Sequence, residues 1–277
     1  TNGARNVAIG YGAMLDTVGA GDNVGIGYQA LKDGSTSEQD VAVGAYALGA
    51  NSAAALTGNA NTAVGYKSLY IAQGAAHTNT AVGQNTLQAL TTGFRNVVMG
   101  GAAGYSLTTG TENTMIGTDA GGNTVDSGGH TLVGFDAGGN GDIDHDGATA
   151  IGHSALAALT GGDGCTAVGY AALFACNTGD YNTAVGKQSL VDLNTGQENT
   201  ALGYQSGYNI TDADGVVAIG YKALYDATTT NSVIAIGSYA GYNVEHTDAA
   251  GSIFIGKDAG FAITSAIGNT AIGHGAL

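Results

Sequence analysis

A strand-sized motif recurs sixteen times in this chain of 277 residues: Val, Thr or Ile, then any residue, then an aliphatic residue or Met, then glycine. The motif glycines are Gly10, Gly27, Gly44, Gly65, Gly83, Gly100, Gly117, Gly134, Gly152, Gly169, Gly186, Gly203, Gly220, Gly237, Gly256 and Gly273. Eleven of the fifteen spacings are 17 residues, two are 18, one is 19 and one is 21. A fixed period of this length marks stacked supersecondary units, each burying its apolar face against its neighbours.

Asn61-Thr62-Ala63-Val64-Gly65 and Asn182-Thr183-Ala184-Val185-Gly186 are clear copies. Their alternation has period two, which makes the segment a β-strand. Seventeen residues are too few for a pair of helices and suit one coil of a parallel solenoid, each strand pairing with its counterpart one coil on. The reading is therefore all-β: a parallel β-solenoid of about sixteen 17-residue coils, with residues 1–277 as a single array. Proline is absent, as a ladder of donating and accepting strands requires. Asn stands four places before the glycine in nine coils, among them Asn6, Asn23, Asn79 and Asn113, and is read as a corner residue that tolerates left-handed geometry.

The two faces of the strand bear on assembly. The branched residues one and three places before each glycine are read as the core face. Two places before it stand Ala8, Ala42, Ala63, Ala81, Ala150, Ala167, Ala184, Ala201, Ala218, Ala235 and Ala271, with Gly25, Val98, Met115, Leu132 and Phe254 in the remaining coils. A strand apolar on both faces implies that something covers the outer one, and the expected cover is further copies of the chain about an axis lined by these alanines. Four places after the glycine, Leu or Met fills a second core ladder in ten coils and Gly replaces it in six. An aromatic follows four of those glycines (Tyr105, Tyr208, Tyr242 and Phe261) and is expected to supply the missing bulk.

Seven Lys plus Arg against 22 Asp plus Glu give a net charge of −15, which argues against nucleic acid as a partner. No run of 18 apolar residues exists for membrane insertion by a helix, and Thr1 and Leu277 suggest a segment of a longer chain. Asp142, Asp144 and Asp146 alternate within an 18-residue coil as in a calcium loop, but the motif is incomplete and a solvated acidic loop is the alternative; no other cofactor is indicated. Tyr11, Tyr28, Tyr66, Tyr170, Tyr204 and Tyr221 follow their glycines and are read as an aromatic corner ladder rather than a sugar platform. Cys165 and Cys176, the only cysteines, are expected to be free, partly buried thiols, with no sign that they meet. Thr62, Thr80, Thr114, Thr166, Thr183 and Thr200 align in phase, but Val or Ile holds that place elsewhere; read as a core position, it argues against an ice-binding face. No pair of carboxylates can be assigned to a groove, so the chain is read as a non-enzyme.

The repeat Asn-Thr-Ala-Val-Gly-Tyr-x-Ala-Leu followed by Thr-Thr-Gly or Asn-Thr-Gly, as at Leu90-Thr91-Thr92-Gly93 and Asn194-Thr195-Gly196, resembles repeats of bacteriophage tail fibres. Val7-Ala8-Ile9-Gly10 and Val217-Ala218-Ile219-Gly220 are similar to coils in the heads of YadA-like trimeric autotransporter adhesins, whose period is shorter. The resemblance covers essentially the whole chain. It implies a homotrimer of parallel β-rolls in a virion tail fibre that attaches to a host cell-surface receptor or polysaccharide; the alternative is the head of an extracellular bacterial surface adhesin. Any host contact is expected at the loops that break the period: residues 51–59, 142–146 and 245–250.

Overall fold

The computed structural model describes residues 5–34, 36–49, 56–143, 147–244, 250–263 and 267–277. The chain forms two compact units, Thr1–Asp146 and Gly147–Leu277. The first carries eight three-residue strands: β1 (Val7–Ile9), β2 (Val24–Ile26), β3 (Val41–Val43), β4 (Thr62–Val64), β5 (Thr80–Val82), β6 (Val97–Met99), β7 (Thr114–Ile116) and β8 (Thr131–Val133). The second carries β9 (Thr149–Ile151), β10 (Thr166–Val168), β11 (Thr183–Val185), β12 (Thr200–Leu202), β13 (Val217–Ile219), β14 (Ile234–Ile236), β15 (Ile253–Ile255) and β16 (Thr270–Ile272). Within each unit every strand pairs in parallel with the next, phase to phase: Thr166 with Thr183, Ala167 with Ala184, Val168 with Val185. The chain is thus all-β and coiled as a parallel solenoid. No helix long and apolar enough to cross a membrane occurs among the described residues.

Each coil is held by backbone bonds to the next. Val7 N–H donates to the Asn23 carbonyl at 2.9 Å, and Gly27 N–H to the Ile9 carbonyl at 2.8 Å. The motif glycine ends the strand with φ near +137° at Gly169, where an added Cβ would lie 2.6 Å from the Gly186 carbonyl carbon and oxygen. Only glycine permits that backbone contact between coils. The place four after the glycine is left-handed in all sixteen coils, with φ from 46° at Leu48 to 70° at Leu277. The Leu-or-Gly choice there follows: glycine suits the backbone, whereas leucine fills the interior and offsets a backbone cost of about 1–2 kcal/mol.

The structure answers how the glycine coils recover their volume. Where Gly104, Gly121, Gly138 and Gly260 replace leucine, the strand centre is enlarged to Val98, Met115, Leu132 and Phe254, all fully buried. A Cβ on Gly121 would lie 2.7 Å from Met115 Sδ, and one on Gly260 would collide with the Phe254 ring. In these four coils the bulk comes from the strand centre; at Gly207 and Gly241 the centre stays Ala201 and Ala235, and Leu190 with Ile210, and Leu224 with Phe254 and Val244, lie against the glycine instead. Tyr105 and Phe261, expected to supply it, are exposed.

Asparagine does not make the corner. The left-handed residue is the one before it, such as Tyr181 (φ 54°) or Glu198 (φ 57°). Asn182 and Asn199 are buried and form an internal amide ladder. Asn199 N–H and Nδ2 each donate to Asn182 Oδ1 at 3.0 Å, Nδ2 also donates to the Ala213 carbonyl at 2.6 Å, and Oδ1 accepts the Val216 N–H at 2.9 Å. A short amide with donors and an acceptor on one rigid plane satisfies the backbone of the adjoining coil, as burial requires.

Candidate interaction faces

The side chains of each strand alternate, and the structure assigns the faces in the opposite sense to the sequence reading. Ala42, Ala63, Ala81, Ala150, Ala167, Ala184, Ala218 and Ala235 are 0% exposed, Ala201 and Ala271 nearly so, and all point into the coil. Ala8, in β1, is exposed. These alanines therefore do not line an external axis. The coil is narrow, and a methyl group at the strand centre lets the opposite wall, carrying the left-handed leucines, approach closely.

The branched residues face outward instead. Ile151 is 40% and Leu202 48% exposed, and Val97, Met99 and Ile116 are also exposed. Every described strand presents two such residues: Val, Ile or Thr at the first place and Val, Ile, Leu or Met at the second, with no charge at either place. In-register pairing stacks them into two parallel rows in each unit. Thr62, Thr80, Thr114, Thr166, Thr183 and Thr200 belong to the outward first row, so the argument that they occupy core positions fails.

The aromatic ladder exists, and a second one runs beside it. Tyr204 stacks on Tyr221 with centroids 5.4 Å apart and planes at 17°. Five places after the glycine, Tyr208, Tyr225, Tyr242 and Phe261 stack in turn at 5.0, 5.2 and 5.1 Å with planes within 15°. Lys222 Nζ lies 4.6 Å from the Tyr225 centroid and 5.9 Å from that of Tyr221. Ring faces are taken up by neighbouring rings and by the ammonium group, which leaves edges toward solvent. A sugar platform needs free faces, so this arrangement favours a packing role. The second ladder was readable in the sequence as aromatics in one phase.

The acidic loop is only partly described. Asp144 and Asp146 lie outside the described residues, while Asp142 Oδ1 accepts the Val125 N–H at 3.0 Å. No group of three or more His, Cys, Asp or Glu that could hold a metal occurs among the described residues. A groove of about 400 Å³ in the first unit is lined by Tyr105, Asp119, Asn123, Asp136 and Asn140 among others. Its Asp136 Oδ2 accepts from Asn140 Nδ2 at 2.8 Å. Of the loops expected to contact a host, residues 51–55, 144–146 and 245–249 lie outside the described residues.

No protein-family model matches the chain, and no curated protein sequence matches it.

Proposed function

We propose that this chain is a structural fibre segment that associates with further copies of itself through the outward Val/Thr and Ile/Val rows, as the shaft of a host-attachment fibre. The observation that carries the reading is a charge-free strip of Val, Ile, Leu, Met and Thr side chains, one row wholly apolar, repeated on every described strand. A strip of this kind marks an interaction surface. Its repeat is one coil, about 4.8 Å, and the partner whose rows match that period along their whole length is another copy in the same register. Cyclic symmetry then closes the assembly without open edges.

Size bears on what such an assembly requires. A strand of three residues is about 10 Å wide, and eight strands cover roughly 38 Å, so one unit offers a strip of about 400 Å². A stable interface buries about 800 Å² per partner. The number three, the tail-fibre setting and the alternative of a bacterial adhesin head rest on the sequence resemblance. A host cell-surface receptor or polysaccharide remains the proposed external partner.

Light scattering on the full chain tests the reading, with trimer expected. Replacing Val168 and Val185 with Glu is expected to give monomer with an unchanged circular dichroism spectrum, because both face outward. Replacing Ala167 with Glu is expected to damage the coil itself. A stable monomer of the unmodified chain would sink the proposal.

A second reading has one observation in its favour: the outward threonine row could present a regular hydroxyl array to ice. It requires a monomer that slows ice growth. A self-associated chain without thermal hysteresis removes it.

A further inference from the structure

We propose that Cys165 and Cys176 are a cross-linking site, forming one disulfide across the interior of their coil by exchange with a small-molecule disulfide. The chain has two cysteines in 277 residues, and they occupy facing interior positions of the same coil, the one that contains β10. In the following coil the corresponding residues are Asn182 and Leu193. There Asn182 Nδ2 reaches across to the Gly196 carbonyl at 2.7 Å. Cys165 repeats that contact, its Sγ donating to the Gly179 carbonyl at 3.0 Å, and Cys176 Sγ approaches the same oxygen at 3.6 Å. Both residues are completely buried, and both thiols are free.

Two sulfurs converging on one carbonyl oxygen are neighbours held by the fold, and holding two thiols together favours the disulfide over two separate thiols. The two sites are also chemically unequal. A hydrogen bond from the Cys176 thiol, assisted by the Asn182 N–H, lowers the pKa of Cys165, while the same contact and burial hold the proton on Cys176.

The reaction balances with glutathione disulfide as oxidant. One of the two cysteines, as its thiolate, attacks one sulfur of that disulfide, breaking its S–S bond and releasing one glutathione thiolate, which takes up a proton. The other cysteine then loses its proton and attacks the protein sulfur of the mixed disulfide, expelling the second glutathione. The chain is oxidised by two electrons and loses two hydrogens, and glutathione disulfide becomes two thiols. Burial means that the exchange proceeds through local opening of the coil or during folding.

The test uses the full chain in glutathione redox buffers, both as natively purified protein and as protein refolded from urea, followed by acid quenching, intact mass and peptide mapping. The expected product has lost two hydrogens, carries no glutathione and contains a Cys165–Cys176 linked peptide. Half-oxidation of the folded chain is expected at a glutathione poise at least tenfold less oxidising than for the chain held unfolded in urea, about 30 mV. Cys165→Ser and Cys176→Ser each should fail to form the linkage. Cys165→Asn with Cys176→Leu, the pair of the next coil, should fold without cross-linking and mark the thermal midpoint of an unstapled coil. Two free thiols in the folded chain under oxidising poise, glutathione adducts without the linkage, or a poise no different from the unfolded chain would each overturn the proposal.

Discussion

Asp40 occupies an asparagine place in the internal ladder of the first unit, and replacing it with Asn is expected to stabilise the protein in a pH-dependent way. Its Oδ1 does the work of an amide oxygen, accepting the Asn61 N–H at 2.7 Å and Asn61 Nδ2 at 3.2 Å. Oδ2 stands where an asparagine would present its NH₂ group, and it is buried with no hydrogen-bond partner among the described residues. Burial pushes the carboxyl from 3.8 up to about 6, against the lowering effect of its bonds to Asn61. The folded state therefore binds the proton more tightly than the unfolded chain. Well below pH 3.8 both states are protonated and Asp40 costs nothing; between 3.8 and 6 the unfolded chain ionises while the folded one does not, the penalty grows to about 3 kcal/mol, and above 6 it stays constant. Asp40→Asn removes that penalty and restores two donors, so the gain should be close to 3 kcal/mol at pH 8 and small at pH 4. Urea unfolding at both pH values, with hydrogen exchange at the Val41 and Asn61 amides as a local readout, measures the difference. Because only the variant-minus-parent difference is used, the other carboxylates cancel. An equal effect at the two pH values, or destabilisation at pH 8, would refute the argument.

Other perturbations follow from the same coil. Gly169→Ala places a methyl group against the Gly186 carbonyl at a left-handed φ, and a loss of at least about 3 kcal/mol is expected in thermal or urea unfolding. At Leu173, buried with φ 49°, Ala keeps the backbone strain and loses the packing, whereas Gly loses the packing and relieves the strain. Both variants should be less stable by about 2–4 kcal/mol, with Gly no worse than Ala, the reverse of the usual helix or strand ordering. On the acidic-loop reading, excess chelator is expected to leave the thermal midpoint unchanged; a lower midpoint would support calcium at Asp142, Asp144 and Asp146.

What the sequence determined by itself is everything that depends on period. Sixteen equally phased glycines placed every strand, and constant phase compelled in-register parallel pairing, because a slip by one residue would turn each strand inside out. The buried leucine row, the glycine exchange within it and the aromatic ladder followed from the same phase. What the tertiary structure alone decided is which strand face is the inside. Alternation announces two faces, but here both are apolar, so hydropathy could not rank them; the width of the closed coil did, admitting alanine methyls and turning Val168 and Val185 outward. The same closure seated asparagine in the interior rather than at the corner, and brought Cys165 and Cys176 to one carbonyl. Distances across a coil are set by how the chain folds back on itself, and a linear period records only distances along it.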